Sequence, residues 1–174
     1  MKRLYILRHA KAQQADPGQD DHARPLTLRG VADAEAMARH LRKSGARIDR
    51  VLVSTSARTV QTADLVLREL ETPPRADYRD ALYLADPGKI LGMIQSLPVR
   101  TSTLMVIGHN PGLEDLTAIL AREPVRRKER ERRDELEEKF PTAALAVLDF
   151  DADRWREIKP GEGKLADFVR PKDL

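Results

Sequence analysis

Four short apolar runs constrain this chain more than anything else in it: Leu4–Leu7, Val51–Val53, the stretch TLMVIG at Thr103–Gly108, and AALAVLDF at Ala143–Phe150. None shows helical spacing, and each is too short for a core helix. Continuous hydrophobic runs of this length fit strands covered on both faces, the condition met inside a parallel sheet. The strands are therefore expected over Lys2–Arg8, Arg50–Val53, Thr103–Gly108 and Ala143–Phe150, and a fifth, Arg154–Ile158 (RWREI), is expected to close a hairpin through Asp151–Asp153.

Helical signals lie between the runs. Ala12 to Pro25 reads as a loop, marked by Asp16-Pro17-Gly18. Thr27 has the character of an N-cap, Val31, Ala34, Ala38 and Leu41 recur at helical spacing, and Gly45 suits the residue just past the end. A second helix is expected from Ala57 to Leu70, stopped by Pro73-Pro74. Asp86-Pro87 and Asn110-Pro111 both look like a cap followed by proline, opening helices toward Leu97 and Ala121. Strands alternating with helices predict an α/β three-layer sandwich. Its central sheet is mainly parallel with an antiparallel edge, and helices cover both faces. All 174 residues are expected to form one domain, and the tail after Ile158 is expected to be irregular, docked by Leu165, Phe168 and Val169.

Composition removes several function classes. There is no cysteine, which excludes disulfides, thiolate metal sites and cysteine nucleophiles. The apolar run near the N-terminus is far shorter than the roughly 7–15 residues of a secretory signal or the about 20 of a membrane helix. A cytoplasmic location without membrane association is the expectation. Lys plus Arg number 31 against 28 Asp plus Glu, a mild excess that suits an anionic substrate. Residues 122–139 (REPVRRKERERRDELEEK) form a dense mixed-sign run, expected to be an exposed charged helix with i,i+4 pairs, with a partly disordered excursion as the alternative. Its arginines alternate with acids and lack aromatics for base stacking, so no nucleic-acid partner is expected.

Ligands of open α/β sheets sit beyond the carboxyl ends of the strands. Three segments fall there: Arg8-His9, Ser54–Arg58 and His109-Asn110-Pro111. They would gather two guanidiniums and two imidazoles at one edge, on condition that the strands are neighbours. Forked guanidinium donors suit phosphate, and a neutral histidine is a competent phosphoryl acceptor. Arg8 and Arg58 would disfavour imidazolium at His9, and His109 could stabilise charge on the transferred group. Arginines supply the positive charge in such a site, so no metal and no cofactor are expected. Arg24 and Asn110 are candidates for binding phosphate or a partner, with a loop salt bridge as the other reading of Arg24. His22 and His40 are expected to face solvent.

These same segments resemble a known family. LRHA (Leu7–Ala10), STSARTVQTA (Ser54–Ala63) and VIGHNPGLEDL (Val106–Leu116) look like the three signatures of the histidine phosphatase superfamily. Within it, RPLTLRG (Arg24–Gly30) and KFPTAALAVLDF (Lys139–Phe150) are similar to the SixA-type phosphohistidine phosphatases. The resemblance implies His9 as nucleophile, with Arg8, Arg58 and His109 as its phosphate pocket. Two positions depart from the pattern. Ala10 replaces the usual glycine, which is acceptable where φ is negative, and Ser54-Thr55 replaces Ser-Pro, expected to alter only the turn.

A third departure bears on substrate. Relatives that cleave phosphate esters carry a glutamate in the segment equivalent to Leu82–Asp86, which here reads Leu-Tyr-Leu-Ala-Asp. Asp86 is a candidate general acid, with helix capping as its competing role. An alkoxide leaving group needs a proton donor far more than an imidazole of pKa about 6.5. The sequence therefore points to a phosphohistidine phosphatase acting through a phosphohistidine intermediate at His9. Its partner would be a phosphorylated protein, such as a histidine-phosphotransfer domain, or a small phosphorylated substrate. Two alternatives are a broad small-molecule phosphomonoesterase and a non-catalytic phosphate-recognition module.

Overall fold

The computed structural model describes all residues from Met1 to Leu174. In chain order the strands are β1 (Lys2–Arg8), β2 (Arg50–Ser54), β3 (Arg75–Arg79), β4 (Thr103–Gly108), β5 (Leu145–Phe150) and β6 (Lys164–Val169). The helices are α1 (Leu28–Lys43), α2 (Ala57–Leu67), α3 (Pro87–Gln95), α4 (Gly112–Leu120) and α5 (Arg127–Glu138). One six-stranded sheet runs in the order β3-β2-β4-β1-β5-β6. The pairs β3-β2, β2-β4 and β4-β1 are parallel, whereas β1-β5 and β5-β6 are antiparallel.

The uninterrupted apolar runs follow from burial on both sides. Successive side chains on a strand point to opposite faces. Leu4, Ile6, Leu104 and Val106 enter one core with Ile90 and Ile94 of α3, Leu113, Leu116 and Leu120 of α4, and Leu136 of α5. Tyr5, Leu7, Met105 and Ile107 enter the other with Met37, Ala38 and Leu41 of α1 and Ala63 and Val66 of α2. The result is a three-layer α/β sandwich. No helix is long and apolar enough to cross a membrane.

Local signals act as expected at several ends. The Thr27 side chain accepts from the Gly30 N–H, Asp86 accepts from the Lys89 N–H, and Gly45 follows the end of α1 with φ +68°. Other expectations need correction. The antiparallel edge is closed by β6, in the stretch expected to be an irregular tail. Arg154–Ile158 is no strand: Trp155–Glu157 forms a 3-10 turn, with Trp155 buried and its indole N–H donating to the Thr101 carbonyl at 2.6 Å. Strand β3 (RADYR) had no counterpart, because an exposed edge strand carries no apolar run. Asn110 does not cap α4; Pro111 precedes that helix and no side chain caps it.

Segment 122–139 is also less exposed than its composition implies. Its helix α5 begins at Arg127 and makes the expected i,i+4 pairs Arg127–Glu131 and Arg133–Glu137. One face nevertheless packs inward through Leu136 and Glu129, and the Glu129 carboxylate accepts from Arg122 and from the Val125 N–H.

Candidate active site

The parallel order β1-β4-β2 brings three carboxyl ends together. Arg8 is in register with Gly108, and Val53 with Ile107, so His9, His109 and Ser54 emerge side by side. The His9 and His109 ring centroids lie 5.3 Å apart. Beyond them opens a cavity of about 400 Å³ lined by Arg8, His9, Arg58, His109, Arg24 and Asn110, together with Lys11, Ala12, Asp21, Leu84 and Thr142. All the phosphate-site residues expected from the sequence therefore meet in one place.

The segment around His9 is clamped from below. The Ala10 N–H donates to Thr62 Oγ1 at 3.0 Å, and Thr62 Oγ1 donates to the Arg58 carbonyl at 2.7 Å. Thr62 thus ties the first signature to the second. Ala10 is fully buried and has negative φ, so it stands where a glycine would without strain. Gly30 in the first turn of α1 lies against the Lys11 carbonyl, where any Cβ would overlap the oxygen. Gly112 does the same for the Ala85 carbonyl, pinning the segment that carries Tyr83 and Leu84. Two non-glycine residues adopt left-handed backbone, Leu84 (φ 50°) and Ala143 (φ 61°). Leu84 lines the cavity, and the Ala143 N–H donates to the His9 carbonyl. Such conformations cost of order 1–3 kcal/mol each and persist where surrounding structure enforces them.

Hydrogen bonding fixes the tautomer of each imidazole. His9 is 8% exposed, and its Nδ1 lies 2.7 Å from the Ala10 carbonyl oxygen. A carbonyl only accepts, so Nδ1 carries the proton and Nε2 keeps its lone pair. His109 is 3% exposed, with Nε2 at 2.8 Å from Ser54 Oγ. Ser54 is fully buried and has no other side-chain partner. Its hydroxyl proton is satisfied only by donating to Nε2, which leaves the proton of His109 on Nδ1. That Nδ1 is buried and unpartnered. Burial pushes His9 down to about 4, with the Ala10 carbonyl opposing and the Arg8, Arg58 and Arg24 charges adding to the depression. Burial, then the neighbouring His9 and Arg58, pushes His109 down to about 3. Both rings are neutral at ordinary pH.

The guanidiniums have distinct surroundings. Arg8 donates from Nη1 to the Phe140 carbonyl at 3.0 Å, while its buried Nε has no partner. Burial holds the Arg8 pKa below its usual value, and Glu114 opposes that shift. Arg58 is 4% exposed and donates to the Asp21 carbonyl at 2.9 Å and to the Asp21 carboxylate at 3.1 Å. Arg24 donates to the same carboxylate at 2.8 Å and to the Gln13 carbonyl at 2.6 Å. Arg24 thus makes the loop ion pair while its side chain lines the cavity. Asn110 donates to the Phe140 carbonyl at 2.9 Å, and its buried Oδ1 is unpartnered.

Asp86 is placed differently. It is exposed, caps α3 and is absent from the cavity wall, so the geometry gives it the capping role rather than that of a general acid. The pocket carboxylate is Asp21, which no sequence signal singled out. Tyr83 donates its hydroxyl to Asp21 and packs edge-on to both His22 and His109. His22 is half-buried rather than solvent-facing, with a ring nitrogen 3.0 Å from Thr55 Oγ1. Thr55 in turn donates to Asp80 at 2.6 Å, so the Ser54-Thr55 departure ties the turn after β2 to His22 and to Asp80. His40 is also half-buried, 3.9 Å from the Asp167 carboxylate on β6. No group of three or more His, Asp or Glu side chains is arranged to hold a metal ion.

A family model described as histidine phosphatase superfamily (branch 1) matches residues 4–94. The chain belongs to this superfamily. Phosphohistidine phosphatase SixA of Escherichia coli (strain K12) is 33% identical over 119 residues, covering 67% of this chain and 73% of that protein. A structure assigned to phosphohistidine phosphatase SixA from Nakamurella multipartitia superposes with a TM-score of 0.81 at 30% identity, covering 98% of this chain and 96% of that one. The protein histidine phosphatase SixA complexed with tungstate gives 0.78 at 27% identity, with 99% of each chain covered. The resemblance seen in the sequence is thus to the right family and to its SixA type.

Proposed function

We propose that this chain is a phosphohistidine phosphatase, one catalytic domain that passes a phosphoryl group from a substrate nitrogen to His9 Nε2 and then to water. The observation that carries this reading is the His9 Nδ1 hydrogen bond to the Ala10 carbonyl, which aims an unprotonated Nε2 into a pocket of cations.

In the first step the Nε2 lone pair forms a bond to phosphorus, and the bond from phosphorus to the substrate nitrogen breaks. Substrate imidazole protonated on its other nitrogen leaves as neutral imidazole. Phosphorylated His9 becomes cationic, and its Nδ1–H remains held by Ala10. The same hydrogen bond that presents the nucleophile therefore also stabilises the intermediate. In the second step water attacks phosphorus, the P–Nε2 bond breaks, and inorganic phosphate departs with the water's excess proton passing to solvent. Arg8, Arg58 and the His109 Nδ1–H donate to the equatorial oxygens, where charge collects in transfer.

The pocket's acid–base content favours an N–P bond. Asp21 is its only carboxylate, held well below the usual carboxylate range by its hydrogen bonds from Tyr83, Arg24 and Arg58. It stays ionised at neutral pH and makes a poor proton donor for an alkoxide. A phosphorylated histidine-phosphotransfer domain or phosphoramidate should release inorganic phosphate with the wild type and not with His9→Ala. Equal release by the two proteins would overturn the proposal.

A further inference from the structure

Four cationic side chains, Arg8, Lys11, Arg24 and Arg58, line the cavity against the single carboxylate of Asp21. That carboxylate sits on the guanidinium edges of Arg58 and Arg24, the donors a phosphoryl group would use. The parts of Asp21 differ in freedom. Its backbone carbonyl accepts from Arg58 Nη1 and from the Arg24 N–H, and so fixes where Arg58 points. Its side chain is 43% exposed, on the 3-10 turn Asp21–Ala23, which buries no residue of its own. Rotating the carboxylate away opens no cavity and leaves Arg58 oriented. Tyr83 offers it one further donor that is not part of the phosphate shell.

We propose that Asp21 is a resident counter-anion: it occupies Arg24 and Arg58 while the pocket is empty, yields them to an entering phosphoryl group, and hastens the exit of inorganic phosphate. This rests on the phosphate-pocket reading above. A dianion meeting four cations without internal competition would be retained after turnover. A carboxylate a few ångströms from it repels it and then replaces it on the same donors, which lowers the cost of emptying the site. Asp21 is thereby a positioning residue through its carbonyl and an affinity-setting one through its side chain.

The test is calorimetric binding of orthophosphate and of tungstate to wild type, Asp21→Asn and Asp21→Glu. Asn keeps the shape and an acceptor oxygen but removes the charge. Binding to Asp21→Asn should tighten roughly tenfold, the scale of one like-charge contact in a half-exposed site. The constant for product inhibition by phosphate should fall in the same ratio. Asp21→Glu keeps the charge and should stay within about twofold of wild type. Unchanged or weaker binding by Asp21→Asn, or equal tightening by Asp21→Glu, would overturn the counter-anion role while leaving the phosphate pocket standing. If none of the three proteins binds either anion, the pocket reading fails and the inference goes with it. Thermal unfolding verifies that each variant is folded, and Asp21→Ser serves if the Asn variant is not.

Discussion

Helix α5 and the pocket are both built from arginines, and they use them in opposite ways. On α5 two pairs run along the helix, Arg127–Glu131 and Arg133–Glu137, and other charges pair with neighbouring elements, as in Arg132–Asp167. Such pairs contribute a few tenths of a kcal/mol and leave no field behind. In the pocket four cations share one carboxylate, and Arg58 is almost wholly buried. Unbalanced, desolvated charge is what can hold a dianion; the number of arginines is not. Cavity size is no better guide. A larger one, about 530 Å³, lies at the amino ends of β1 and β4, yet its Arg3 is bonded to Asp149 through two nitrogens and its wall is nearly half hydrophobic.

Arg58→Lys breaks the contrast most severely. It keeps the charge but loses the forked geometry, and kcat/KM on phosphoramidate should fall about 100-fold, the scale of one lost transition-state donor. A loss below about threefold would mean that Arg58 acts only as a distant charge. Within α5 itself, the buried Glu129 should behave unlike its neighbours. Glu129→Ala strips Arg122 and the Val125 N–H of their acceptor and should lower unfolding free energy by about 2–3 kcal/mol. The exposed Glu131→Ala should change it by less than about 0.5 kcal/mol. Chemical denaturation of the two variants checks both values.

The acid limb of activity sharpens the comparison further. His9 must be neutral to attack, and its pKa in the empty site is depressed to about 4. The rate governed by free enzyme, kcat/KM, should therefore stay level from pH 7 down to about 5 and fall only as pH drops through about 4. A free imidazole would begin to fail near 6.5. Once corrected for ionisation of the substrate, a limb near 6.5 would show that burial does not control His9.

Much of this was readable along the chain. Leu4–Leu7 and TLMVIG could only be strands covered on both faces, and the caps at Thr27 and Asp86 announced their helices. The residues Arg8, His9, Arg58 and His109 each ended or followed a strand or opened a helix, so only strand adjacency remained to be supplied. What escaped reading had no periodic signal. Strand β3 is an exposed edge of alternating charge, and in β6 (KLADFV) polar and apolar residues are mixed. Trp155 made RWREI resemble a strand, although its burial comes from a turn that delivers one indole beneath Thr101.

Taken alone, the sequence determined the layers and the family and marked Arg8, His9, Arg58 and His109 as candidates, because those depend on local propensity and on motifs at strand ends. Only the tertiary structure decided which nitrogen of His9 is free and that Asp86 stands outside the cavity wall. It also decided that Asp21 and Tyr83, 62 positions apart, meet in a hydrogen bond at the pocket. The reason is physical: a tautomer or an ion pair depends on which acceptor lies within about 3 Å, and that distance is set by how the loops cross the end of the sheet.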